Sequence, residues 1–194
     1  TVDAVLRLAE KENTREIQRI GGSEALDEAY TSISFGHLVK KRAGWLVILF
    51  LGEMLTATAM GFFEGEISRA IVLTLFIPLI ISSGGNSGSQ AATLIIRAMA
   101  VKELGIRDWW YVMKREIFSG VTLGLILGAI GFLRITTWQY LHLYNYGPHW
   151  KLLAITIFFS LIGIVMWGTI CGSMIPIILK KCKQDPAASS APFV

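Results

Sequence analysis

Four long apolar stretches separated by short polar ones set the pattern of this chain, and each predicts a helix long enough to cross a bilayer. The spans predicted are residues 45–63, 70–99, 117–138 and 152–179, and a further apolar run begins at about residue 187. The second stretch differs from the others. Thirty helical residues would measure about 45 Å, against a hydrocarbon core of about 30 Å. Its middle, Pro78-Leu-Ile-Ile-Ser-Ser-Gly-Gly-Asn-Ser-Gly-Ser-Gln90, is polar and carries a proline and three glycines. Lipid offers no partner to freed backbone groups, so a break there must be covered by protein or line a water-filled space. The pattern predicts a broken second span.

Ahead of the first span, Val2, Val5, Leu6 and Ala9, then Ile17 and Ile20, recur at near-helical spacing, and Gly21-Gly22 ends that helix. Ser23 is placed to cap a short second helix through Ala29, and residues 34–42 read as an interfacial helix. The fold class is therefore an all-α polytopic membrane protein. Four complete transmembrane helices and the start of a fifth follow an N-terminal connecting helix. Residues 1–44 form the connecting and interfacial part, and residues 45–194 the membrane part. Within the latter, Gly120, Gly124 and Gly128 recur every four residues, and Gly168 and Gly172 repeat the spacing, which predicts close helix packing. Pro176 is expected to bend the fourth span near its end. Trp109, Trp110 and Tyr111 form an interfacial aromatic belt in the loop before the third span, and Arg134 snorkels from that span.

Composition agrees: 53% of the 194 residues are hydrophobic and the mean hydropathy is +0.55, which sets aside an ordinary soluble domain. The net charge of +4 is distributed by loop, in a way that fits a membrane better than a nucleic acid. Lys40, Lys41, Arg42, Arg97, Lys102, Arg107, Lys114, Arg115, Lys180, Lys181 and Lys183 fall on one side, and only Arg69 and Lys151 on the other. By the positive-inside rule the N-terminus is cytoplasmic. No secretory signal is expected at Thr1, and the chain reads as part of a longer protein. Cys171 and Cys182 do not make a disulfide framework.

Glu53 is the carboxylate well inside a span, which reads as a cation ligand, a relay or a pore charge, or else as a protonated acid bonded to a neighbouring helix. Gly84, Gly85, Asn86, Gly88 and Gln90 have two readings. Either the glycines turn backbone carbonyls towards a pore, joined by the amides, or Gly84-xxx-Gly88 is a helix-packing face. Ser87 within Gly85-Asn-Ser-Gly88 resembles the serine stretch of rhomboid proteases. However, His37, His142 and His149 lie outside the spans, and a serine nucleophile needs a base in reach, so an enzyme is not expected. Glu64 and Glu66 stand where an acidic outer mouth would concentrate cations, or in a solvated loop. Asp3, Glu10, Glu12 and Glu16 alternate with Arg7, Lys11, Arg15 and Arg19 on what reads as a solvated helix face.

Residues 78–98, with the core Gly84-Gly-Asn-x-Gly-x-Gln90 followed by Ala92-Thr-Leu94 and Arg97-Ala98, resemble the membrane domain of the MgtE family of magnesium channels. Asp185-Pro-Ala-Ala-Ser-Ser-Ala-Pro192 is similar to that family's entry into its fifth span, and Tyr30-Thr-Ser-Ile-Ser-Phe35 with Arg42 and Trp45 to its approach to the first. The resemblance covers nearly the whole chain. It implies a homodimer in the cell (inner) membrane, with five spans per subunit and a pore lined by the second and fifth. It also implies cytoplasmic N-terminal and CBS domains preceding this sequence, with Mg²⁺ as both the transported and the regulatory ion. On that resemblance Asn86, Asp185, Ala191 and Pro192 belong to the ion pathway, Ala191 standing where many relatives have an asparagine. Residues 1–20 match the helix that plugs the pore, with acids interleaved by bases. The family's central aspartate falls beyond Val194. Mg²⁺ dehydrates reluctantly and keeps several waters, which fits a pore of carbonyls and amides with few carboxylates. The alternatives are another divalent cation such as Mn²⁺ or Co²⁺, an intramembrane protease, or a non-conducting membrane anchor.

Overall fold

The computed structural model describes Leu26 and residues 30–183. Asp3, Glu10, Glu12, Glu16, Asp185, Ala191 and Pro192 lie outside the described residues, as do the connecting helix and the start of the fifth apolar run. Among the described residues every regular element is helical and none is a strand. In chain order these are α1 (Phe35–Phe62), α2 (Glu64–Arg69), a 3₁₀ segment (Ile71–Leu75), α3 (Ile77–Ala100), a 3₁₀ turn (Ile106–Asp108), α4 (Trp109–Tyr140) and α5 (Trp150–Lys181).

Three of these are long and apolar enough to cross a membrane: α1, the turn together with α4, and α5. With 24 residues, α3 reaches about 36 Å at 1.5 Å per residue, so it has the length, but its polar middle dilutes the hydropathy. The interfacial segment from Phe35 is continuous with the first span as one helix. The aromatic belt Trp109–Tyr111, expected in a loop, forms the first turn of α4.

α5 is the hub: α3 packs on one side of it and α4 on another. Water is not what drives these contacts inside a bilayer; close packing is, and it needs small residues at the crossings. The glycines predicted from spacing lie there. A Cβ on Gly124 would stand 2.6 Å from Ile162 Cα, one on Gly128 2.8 Å from the Phe158 carbonyl oxygen, and one on Gly120 2.7 Å from Met166 Cα. The α4 glycines thus receive successive turns of α5. Thr169 ties the seam, its hydroxyl donating to Met166 O at 2.9 Å and Glu116 O at 3.3 Å. α5 runs on through Pro176 to Lys181.

Apolar clusters close each end of this unit. Phe76, Ile135, Tyr146, Leu153, Ala154, Ile157 and Leu161 form one, and Ile95, Met99, Val112, Met174 and Ile177 the other. At the first end Tyr146 leans on Phe76 with ring centroids 6.0 Å apart, and its N–H donates to Gln139 Oε1 at 2.9 Å. Burial pushes the Tyr146 phenol above its ordinary value, with Arg134 acting against the rise and Tyr144 adding to it. At the opposite end Lys180 Nζ donates to Met99 O at 3.5 Å, so the C-termini of α3 and α5 lie side by side. The basic residues following each therefore share one end of the bundle. α1 stands clear of this unit: its apolar window is unburied, and its substantial contact is with α2.

Candidate functional site

The predicted break in the second span is displaced. It falls at residues 70–76, where the short α2 gives way to the 3₁₀ segment and α3 starts afresh. Pro78 sits in the first turn of α3, where its missing N–H would have had no helical partner. From Ile77 to Ala100 the helix is unbroken through all three glycines. The carbonyls of residues 84–90 are therefore engaged along the helix axis, and what this stretch offers a ligand is its side chains.

Gly84 and Gly88 are buried against α5. A Cβ on Gly84 would meet Ile164 Cγ1 at 2.7 Å, and one on Gly168 or Gly172 would strike the carbonyl oxygen of Gly84 or Gly88 respectively. Two small-xxx-small pairs thus cross face to face, backbone on backbone, and the packing reading of these glycines describes their environment. Ser87 is on the buried side too, and its hydroxyl has no hydrogen-bond partner. No imidazole is placed to activate it, because His37 lies in the first turn of α1 and His142 and His149 in the loop between α4 and α5.

The opposite side of α3 is different. Ser82, Asn86, Ser89, Gln90, Thr93 and Arg97 are all exposed. At 3.6 residues per turn their spacing confines them to roughly 100° of arc. The stripe presents acceptors. The Ser83 hydroxyl at its margin donates back to Leu79 O at 2.7 Å, and that of Thr93 to Ser89 O at 2.9 Å, leaving oxygen lone pairs outward. Asn86 Nδ2 is drawn to Ser82 Oγ at 3.4 Å, which leaves the amide oxygen open. Arg97 supplies positive charge in the last turn, at the basic end. The motif draws the eye to Asn86 and Gln90. Ser82, Ser89 and Thr93 complete the stripe, and their spacing of three and four residues is the signal that finds them.

The remaining sequence-predicted residues are not gathered here. Gly85 is half-buried at the edge of the stripe. Glu53 is exposed on α1, away from the packed unit. Glu64 and Glu66 are exposed in the first turn of α2, where the helix dipole favours acids. Among the described residues no group of three or more His, Cys, Asp or Glu could hold a metal ion.

This architecture defines a helical membrane domain in which one helix carries a hydrophilic face, from Ser82 to Arg97, in an otherwise apolar bundle. Residues 77–194 match the MgtE family model, described as a divalent cation transporter, and the chain belongs to that family. The magnesium transporter MgtE of Thermus thermophilus is 34% identical over 194 residues, covering all of this chain and 41% of the relative. That of Enterococcus faecalis is 26% identical over 195 residues, covering 40% of the relative. That of Bacillus subtilis is 27% identical over 154 residues, covering 79% of this chain and 32% of the relative. The chain spans about two fifths or less of the length of the curated relatives it matches.

Proposed function

We propose that this chain is the permeation domain of a channel that carries hydrated Mg²⁺ into the cytoplasm. The observation that carries the reading is the exposed acceptor stripe of α3, Ser82, Asn86, Ser89, Gln90 and Thr93. In lipid such a face is costly unless it borders water or protein. Hydroxyl and amide oxygens hold the waters of an ion that keeps its hydration shell, and they ask for no acidic cage. In this reading α3 also crosses the membrane, as the second span along the chain, and is polar because it lines the path. A fifth span, beginning at about residue 187, faces it, and Asp185, Ala191 and Pro192 at its entry belong to the ion pathway. Two copies pair around the path, Glu64 and Glu66 stand at the outer mouth, and the N-terminus is cytoplasmic, a reading that the basic end of the bundle supports. Domains of the longer protein sense Mg²⁺ and act through the helix of residues 1–20, whose acids are Asp3, Glu10, Glu12 and Glu16.

The test is ion flux into liposomes holding the full-length protein. Wild type takes up Mg²⁺, and Asn86→Leu loses most of that flux while its thermal midpoint moves little. Folded protein that passes no Mg²⁺, or Asn86→Leu flux equal to wild type, refutes the assignment. The family description names divalent cations broadly, which favours a second reading with Mn²⁺ or Co²⁺ as cargo. Competition between the ions in the same assay decides, and preferential uptake of Mn²⁺ or Co²⁺ selects that reading.

A further inference from the structure

On the side of α5 turned away from the glycine seam lies a groove of about 470 Å³. Met113 of α4 and Ile170, Cys171, Met174 and Ile178 of α5 make its walls, and Ile106 and Trp109 stand at the end where Lys181 closes it. No acidic side chain lines it. The nearby Asp108 is engaged with the Gly105 N–H at 2.8 Å. Lys180 is turned towards α3, where its ammonium meets Met99 O, so the lysine at the groove is Lys181. The order along the groove is apolar wall, indole, ammonium. An amphipathic molecule lying along a membrane normal has that order too: a chain in hydrocarbon, a glycerol region at the aromatic belt, and a charged head at the surface. The charge selects the head. A lysine on the basic end of the bundle, which also carries Lys180 and Lys183, attracts an anion and repels a cation.

We propose that this groove holds an anionic phospholipid of the leaflet on the basic side, one acyl chain against Met174 and Cys171 and the phosphate at Lys181. Methionines and an isoleucine row give a chain an adaptable, wholly apolar wall. The lipid braces the outer face of α5, whose inner face forms the seam with α3. The inference rests on the chain's crossing a membrane and not on which ion it carries.

Native mass spectrometry of the full-length protein titrated with phosphatidylglycerol or phosphatidylcholine tests it. Phosphatidylglycerol is retained in preference, and Lys181→Gln weakens that retention about fivefold while leaving phosphatidylcholine unaffected. A second measurement uses protein in which Cys171 is the one remaining cysteine. A membrane-permeant maleimide labels it several-fold more slowly in nanodiscs containing phosphatidylglycerol than in pure phosphatidylcholine nanodiscs. Equal retention of the two lipids, a preference untouched by Lys181→Gln, or equal labelling in both nanodiscs overturns the proposal. So does oxidative cross-linking of Cys171 between two copies, which would put protein in the groove. Mg²⁺ flux is read separately, so its loss bears on the proposed function and not on the lipid site.

Discussion

Replacing Gly172 by alanine tests how tightly α3 and α5 are joined. The added methyl would strike the carbonyl oxygen of Gly88 and stand 2.7 Å from Gly88 C and 2.8 Å from Gly88 Cα. All three are backbone atoms, so no rotamer change relieves the clash and the helices must part by an appreciable fraction of an ångström. Overpacking of this kind costs about 1–3 kcal/mol. Alanine recovers up to about 1 kcal/mol in helix propensity. The net expectation is a loss of up to about 2 kcal/mol. Gly163→Ala is the control, since its Cβ would meet nothing within 4 Å. It keeps the propensity gain without the clash, so it is neutral or stabilising by up to about 1 kcal/mol. Measured on the full-length protein in nanodiscs, the thermal midpoint should fall for Gly172→Ala and hold or rise for Gly163→Ala. Gly172→Ala at least as stable as wild type, or Gly163→Ala as damaging as Gly172→Ala, refutes the backbone contact between the two helices.

Three further outcomes follow from the same packing. Ser87→Ala removes a buried hydroxyl that has no partner. It should be neutral or stabilising by up to about 1 kcal/mol, with flux unchanged and wild-type Ser87 unlabelled by a fluorophosphonate. Labelling would revive the hydrolase reading. Thr169→Val deletes the bonds to Glu116 O and Met166 O and should cost about 0.6 kcal/mol in denaturation monitored by circular dichroism; a loss several times larger would mean that the hydroxyl holds the seam by more than these bonds. Burial raises Tyr146 above its ordinary value of 10.0. The folded protein then holds that proton more tightly than the unfolded chain. The contribution is full below pH 10 and lost as pH rises through the folded value. Alkaline thermal melts of Tyr146→Phe should therefore fall less steeply than those of wild type, and parallel curves would count against the assignment.

The sequence by itself determined that the chain is helical, and three of its apolar runs form helices long and apolar enough to cross a membrane, because apolar runs of this length have few other solutions in a bilayer. It also placed the glycine seams: a four-residue repeat of a residue without a side chain marks close approach in any helix, and Gly120, Gly124, Gly128, Gly168 and Gly172 all lie at crossings. The basic residues likewise forecast which ends of the helices lie together. The sequence left open which way the residues of the motif face. Glycine and proline lower helix propensity wherever they occur, so composition alone predicts a break at residues 78–90. Packing against α5 overrides it, and the chain breaks instead at residues 70–76, where the 3₁₀ segment turns into α3. Once the helix is continuous, a rotation of 100° per residue sorts the motif into two faces. Gly84, Ser87 and Gly88 go to the seam, and Ser82, Asn86, Gln90 and Thr93 to the open side. That sorting depends on which side of α3 the hub helix occupies, a choice made by contacts between residues some eighty positions apart, which no local pattern encodes.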